Sequence, residues 1–384
     1  MRHRGGSETR RYALITAAAL CLCAPSTATS QLRPVLIRGA IVIDGTGAPA
    51  SQTDVRIASG RIQAIGRLVP GPQDSVVDAT GLFLFPGFID THSHHDRGLL
   101  QHQDALGAIS QGITTIVAGQ DGESQFPLAG FFDSLIRHPA AVNVASYVGH
   151  GTLRSLVLQD DFRRVATAAE VSRMGRLLQQ EMDAGALGLS SGLEYDPGIY
   201  SSPEEVIELA RVAGRSHGRY ISHVRSEDRH FWSAVDELIN IGREARLPVQ
   251  MSHAKLAMRS LWHRADTLLG ILDRARAQSV DVSLDIYPYT FWLSTLTVLF
   301  PERDFRDREE AEFAMTEVAP ADSAYVIAYE PDPSVVGKSI AQIAGNRGSD
   351  PATTLMDLIA GILQPKPDGM PVRRRDHGAE HDRE

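Results

Sequence analysis

From Pro86 onward the chain repeats one pattern: a short apolar segment ending in polar or ionisable residues, a loop, and a helical stretch. Seven such segments can be read: FPGFIDTHSHHD, GITTIVAGQDG, AVNVASYVGHG, GALGLSSGLEY, RYISHVRSE, LPVQMSHAK and VDVSLDIYPY. Helices are signalled between several of them. Ser202-Pro203-Glu204-Glu205 offers an N-cap, a proline at the first helical position and a capping-box glutamate. Val206, Leu209, Ala210 and Ala213 follow at helical spacing, as do Val235, Leu238, Ile239 and Gly242 further on. A third helix is predicted from about Ala169 to Asp183. Strands alternating with helices predict an α/β fold with a parallel sheet. Polar residues at the C-terminal ends of the strands fit a (β/α)8 TIM-like barrel, which places its active site there. A doubly wound open sheet is the alternative. No G-x-G-x-x-G follows a strand, so a dinucleotide fold has no support.

Ahead of this region, Val35 to Val77 reads as short strands, with Ala58-Ser59-Gly60-Arg61 as a hairpin turn. After Pro301 an eighth strand is hard to find. SAYVIAYE (residues 323–330) reads equally as that strand or as part of a lid, and a helix follows around Thr353 to Ile362. The ending PKPDGMPVRRRDHGAEHDRE carries Pro, Gly and dense charge and is predicted to be disordered.

The N-terminus reads as a targeting segment. Arg2, Arg4, Arg10 and Arg11 precede the apolar run YALITAAALCLCA, then the small residues PSTATS, with cleavage expected after Ala28 or Ser30. The apolar run is too short for a comfortable membrane span. The expectation is export, to the periplasm or the outside. The domain reading is therefore residues 1–30 as signal peptide and 31–85 as a small β region. Residues 86–364 form the barrel, and 365–384 the tail. Both cysteines, Cys21 and Cys23, fall inside the leader, so the mature chain would have none. The net charge of −9 argues against nucleic acid or an anionic membrane surface as the main partner.

His92 and His94 are two apart, which on a strand puts both rings on one face. H-x-H alone is a weak signal. His223 closes the fifth segment and His253 the sixth, and in a barrel those ends open on the same mouth. Imidazoles converging there can bind a divalent metal, which activates water for attack on an amide carbonyl. Two adjacent ions need a bridging ligand. A thiolate would be missing from the mature chain, and no lysine precedes Lys255, so a carbamylated lysine on an early strand is excluded. A carboxylate remains: Glu194, on the fourth strand end, is preferred, and Asp121 is the alternative. A one-metal site on His223 and His253 with one carboxylate stays open. Arg225 and Lys255 share faces with His223 and His253, while Tyr195, Tyr287 and Ser294 lie beside them. Such a set would hold a substrate carboxylate. Arg225 could instead pair with Glu227. His150, in GHG at the third strand end, is read either as a donor to the carbonyl oxygen or as an orienting residue behind the metal ligands.

These blocks together resemble the amidohydrolase superfamily, and within it the D-aminoacylase or N-acyl-D-amino-acid deacylase family. PGFIDTHSHHD is similar to the family's PGFID-x-H-x-H segment; GHGTLR, GALGLSSGLEYDPG, YISHVRSE, PVQMSHAK and DIYPY resemble further family blocks. The resemblance runs from about Val35 to Ile362. It implies a small β-sandwich packed on a metal-bearing (β/α)8 barrel, with zinc, one ion or two, on His92, His94, His223 and His253. It implies substrate carboxylate contacts at Lys255 and Tyr287, with Tyr195 and Ser294 nearby. The implied reaction is hydrolysis of an N-acyl-D-amino acid to a carboxylate and a free D-amino acid. Two departures follow. Where the best-known members have an N-C-G turn with a bridging cysteine, this chain has Gln120-Asp121-Gly122, and it has Glu194 where they have an apolar residue. The family also continues past this chain's end, through an eighth strand with a proton-transferring Asp in S-D-G. The expectation is therefore a barrel lacking its last strand, and an inactive metal-binding fragment is one competing reading. Others are a dipeptidase- or dihydroorotase-like amidohydrolase, and a binding protein without metal.

Overall fold

The computed structural model describes residues 33–364. The expected leader and charged tail lie outside the described residues. The chain divides into two compact units, Met1–Pro86 and Gly87–Glu384.

The first unit holds β1 (Val35–Val42), β2 (Ser51–Ala58), β3 (Arg61–Gly66), β4 (Ser75–Asp78) and β5 (Phe83–Leu84). They form one sheet in the order β3-β2-β1-β4, with β5 also on β1. The β1–β2 and β2–β3 pairs are antiparallel; β4 and β5 run parallel to β1. Ser59 and Gly60 close the β2–β3 hairpin, with φ of 51° and 72°. Two left-handed residues are what a tight two-residue hairpin turn requires. Leu36, Ala40, Val55 and Ala79 are buried, while Ile62, Val76 and Phe83 remain exposed.

The second unit contains the strand–helix repeat. Its strands are β6 (Phe88–Asp90), β7 (Ile113–Ala118), β8 (Asn143–Ser146), β9 (Val148–Gly149), β10 (Gly188–Gly192), β11 (Arg219–His223), β12 (Val249–Met251) and β13 (Val282–Leu284). All ladders are parallel, in the orders β6-β7-β8 and β9-β10-β11-β12-β13. β8 and β9 are one strand interrupted at Tyr147, whose N–H still reaches Ala118 O at 3.0 Å. Each of the seven apolar segments thus supplies one strand.

The helices behind these strands follow from their apolar stripes. In the helix Pro203–Arg215, Val206, Leu209, Ala210 and Ala213 are buried; in Phe231–Ala245, Val235, Leu238 and Ile239 are. The helix Ala168–Asp183 carries a reciprocal capping box between Thr167 and Glu170. Ser202 caps Glu205 N, but the reciprocal half of the expected box is missing, because the Glu205 carboxylate is bound by Arg154 and His150.

Among the described residues no eighth parallel strand occurs. Residues 323–330 make only an isolated bridge, Tyr325 with Ser339. Val326 and Tyr329 are buried instead in a second apolar cluster with the helices Ile340–Arg347 and Pro351–Leu363.

Candidate active site

The residues at and just past the ends of β6, β7, β10, β11, β12 and β13 line one cavity of about 790 Å³. His92 and His94 lie just past the end of β6, and His223 is the last residue of β11. His253 follows β12 by two residues, Glu194 follows β10 by two, and Asp121 follows β7 by three. All six line the cavity. The ring centroids of His92 lie 5.5 Å from His94 and 5.2 Å from His253, and His253 lies 4.7 Å from His223. Three separated segments of sequence thus bring four imidazoles together.

Asp121, and not Glu194, stands between them. Its Oδ2 lies 3.5 Å from His92 Nε2 and 3.2 Å from His94 Nε2, and its Oδ1 lies 3.4 Å from His253 Nε2. Glu194 Oε2 reaches only His223 Nε2, at 2.8 Å, while Oε1 accepts Glu227 N–H at 3.0 Å. Of the two carboxylates, Asp121 thus contacts three of the four imidazoles and Glu194 the fourth. The reason is local backbone geometry. Asp121 adopts φ 53°, which aspartate tolerates better than most residues, and so turns inward past the strand end. Gly122, at φ 84°, lets the turn press on β10: a Cβ there would sit 2.7 Å from Gly192 N.

Two carboxylates join the cluster that the sequence reading did not weigh as site groups. Asp285, one residue past β13, has Oδ1 3.3 Å from His92 Nδ1 and accepts His253 N–H at 2.6 Å. Glu227 Oε1 lies 3.2 Å from His253 Nδ1 and accepts from Lys255 Nζ at 2.5 Å. The signal for Asp285 was present, since it opens DIYPY at a strand end like the histidines. Glu227 was read only beside Arg225.

The charges are tightly balanced. Burial alone would lower the His92 imidazole, but hydrogen bonds to Asp121 and Asp285 outweigh it and push it up to about 10. His253 is likewise raised against burial, to about 9, by Asp121 and Glu227. Burial would raise Asp121, yet His253, His92 and His94 hold it well below the usual carboxylate range. Glu227 is held low against burial by His223, Lys255 and His253. Burial dominates at Glu194 and raises its carboxyl.

These residues fit a divalent cation. His92, Asp121 and His253 form one group whose donor atoms lie within 4.8 Å of one another, and His223, Glu227 and His253 form a second. Asp121 Oδ1 is buried among these imidazoles, 3.4 Å from His253 Nε2, without a hydrogen bond of good geometry. A buried acceptor of this type is what an ion satisfies. Imidazole with carboxylate is a donor set that suits zinc.

Of the expected substrate contacts, Tyr195, Lys255, Tyr287 and Ser294 line the cavity. The Tyr195 ring packs on His223 at 4.3 Å between centroids, and Lys255 Nζ lies 5.9 Å from the Tyr287 ring. Burial pushes the Tyr287 hydroxyl up to about 12. Arg225 requires correction. It makes a bidentate pair with Glu237, both bonds 2.8 Å, donates to Ser201 O at 3.0 Å, and is not among the lining residues. The two-residue alternation that placed it with His223 stops where β11 stops.

His150 is also corrected. It is fully buried, is absent from the cavity lining, and bonds through Nε2 to Glu205 Oε1 at 2.8 Å. Arg154 donates to both oxygens of the same carboxylate, at 2.7 and 2.6 Å. Burial lowers the His150 imidazole below its ordinary value. It cannot polarise a substrate carbonyl from there. This triad joins the helix His150–Leu158 to the helix Pro203–Arg215.

Four imidazoles and their carboxylate partners at the ends of parallel strands are the build of a metal-dependent hydrolase. The sequence pattern of the amidohydrolase family matches residues 75–347. The chain is 35% identical over 353 residues to a D-aminoacylase of Alcaligenes xylosoxydans xylosoxydans, covering 80% of this chain and 72% of that one. It is 35% identical over 363 residues to an N-acyl-D-glutamate deacylase of the same organism, covering 88% and 71%. A crystal structure of N-acyl-D-glutamate deacylase from Bordetella bronchiseptica, complexed with zinc and a phosphonate inhibitor that mimics the tetrahedral intermediate, matches with a TM-score of 0.75. It is 34% identical, and the match covers 85% of this chain and 70% of that one. The chain belongs to the amidohydrolase family, in its D-aminoacylase and N-acyl-D-amino-acid deacylase branch. It is a hydrolase of carbon–nitrogen bonds other than peptide bonds.

Proposed function

We propose that the protein is an exported, zinc-dependent deacylase that converts an N-acyl-D-amino acid and water to a carboxylate and a free D-amino acid. The observation that carries this is Asp121 standing between His92, His94 and His253, in a cavity that also presents Lys255. His92, His94, His223 and His253 would hold the metal, with Asp121 as the shared carboxylate. Bound there, zinc supplies Lewis acidity and an activated water. The protein groups do the rest. Asp285 and Glu227 accept from the histidine side and fix the imidazole orientations, as carboxylates behind metal-binding histidines do. Lys255 leaves Glu227 in part to take the substrate α-carboxylate, with Tyr287 beside it. Tyr195 and Ser294 contact the amide from the cavity wall. Glu194 lines the cavity and touches a single imidazole, so it is the carboxylate placed to carry a proton from water to the departing amine.

The same reading takes the seven-strand arc as a (β/α)8 barrel and the first unit as part of a β-sandwich. Exposed apolar side chains on that sheet, Ile62, Val76 and Phe83 among them, support a further covering layer. The test is a panel of N-acyl-D- and N-acyl-L-amino acids offered to zinc-loaded protein, with free amino acid read by chiral chromatography. D-selective release is expected. Release from neither series, with zinc bound, overturns the assignment.

A further inference from the structure

We propose that Arg303 is a positioning residue that sets the shape of the substrate side of the cavity. It ties the turn carrying Glu194 and Tyr195 to the wall segment formed by residues 291–300. Its guanidinium donates from Nη2 to Glu194 O at 2.7 Å and from Nε to Asp196 Oδ1 at 3.0 Å. Nη1 donates to Thr297 O at 3.1 Å and to Phe300 O at 2.9 Å. The two segments it joins are about a hundred residues apart in sequence, and its side chain is only 12% exposed.

The wall it holds is part of the cavity: Trp292, Leu293, Ser294, Val298 and Leu299 all line it. Phe300 is fully buried and packs edge-on against Phe305, which anchors the base of that wall. On the other side of the clamp, Tyr195 packs into the same apolar cluster as Trp292. A planar fork with donors at fixed angles can satisfy both segments together, which a single ammonium cannot. Arg303 itself does not line the cavity. Its removal therefore loosens the side that would hold substrate and leaves the histidine cluster in place.

The catalytic readout rests on the deacylase reading above; a second readout does not. Arg303→Met, Arg303→Lys and the milder Asp196→Asn are compared with the unaltered chain. In Arg303→Met, KM is expected to rise about tenfold or more and kcat to fall by a smaller factor, because Glu194 sits on the loosened turn, with zinc stoichiometry little changed. Asp196→Asn removes the charge from one of these hydrogen bonds and is expected to show a smaller KM rise in the same direction. Arg303→Lys is expected to restore only part of the effect. Independently of activity, chymotrypsin is expected to cut after Phe291 and Trp292 about tenfold faster in Arg303→Met than in the unaltered chain, at matched fraction folded. If Arg303→Met fails to fold, Asp196→Asn carries the same two readouts. An unchanged KM and cleavage rate in the folded variants overturns the proposal. So does loss of zinc in step with loss of activity, which would make Arg303 a support of the metal cluster. Faster cleavage of Arg303→Met, where the unaltered chain hydrolyses nothing, would retain the clamp and reject the deacylase reading.

Discussion

Asp121 and Glu194, the two carboxylates that the sequence offers for one bridge, make different contacts. Asp121 touches three imidazoles and Glu194 one. Asp121→Asn is therefore expected to weaken zinc binding by about 10- to 100-fold in equilibrium dialysis, while Glu194→Gln retains zinc and loses turnover. Equal zinc loss in the two variants would return the bridge to Glu194. Lys255→Met is expected to raise KM for N-acyl-D-amino acids about tenfold or more, the worth of a charge-assisted hydrogen bond. The residue scale also shows where the sequence is readable. Residues within a strand alternate faithfully, so His223 is placed by counting. Past the strand ends the alternation lapses, and Arg225 turns to Glu237 while Lys255 stays in the cavity. Asp121 needed a left-handed backbone that no spacing rule contains.

The histidine cluster makes stability depend on pH before any metal binds. His92 sits at about 10 and His253 at about 9, both above the ordinary 6.5. Groups raised on folding stabilise fully below their unfolded value, and that gain disappears as pH climbs through the folded values. The melting temperature of metal-free protein is expected to fall between about pH 6.5 and pH 10, and His92→Gln should flatten the slope. A melting temperature that rises over that range contradicts the charge balance. Zinc requires neutral imidazoles, so its affinity should increase as pH rises.

At the scale of elements, the helices were legible because their apolar stripes and caps are local. The helix Pro203–Arg215 shows both the reach and the limit of that reading. Its start and its buried face were plain. The use of Glu205 was not, because the competing partners, Arg154 and His150, come from another helix. Arg154 has no exposed side chain and Glu205 only 1%. Glu205→Ala would leave a buried guanidinium unpaired, and a loss of about 3–5 kcal/mol in denaturant unfolding is expected. A loss below about 1 kcal/mol would mean the triad is not a structural joint. The helix Pro351–Leu363 is likewise locally signalled: Asp350 caps it by accepting from Thr353 N–H, with Pro351 at its first position.

For the whole molecule, the periodicity of apolar segments and helices carried most of the fold. Seven segments became seven parallel positions, and the polar ends of six of them line one cavity. What did not transfer was residues 323–330, whose apolar alternation resembles a strand but is buried against helices instead. Short apolar runs carry no sign of which surface will bury them.

The central claim is that the strand-end cluster is a metal centre that cleaves an amide. It is tested most directly by stripping the protein with a chelator, confirming loss of metal by elemental analysis, and titrating zinc back while D-amino acid release is followed. The account predicts no release from the stripped protein and recovery that saturates at one or two zinc ions per chain. Release that persists without metal, or zinc that binds in that ratio without restoring any release, would contradict it.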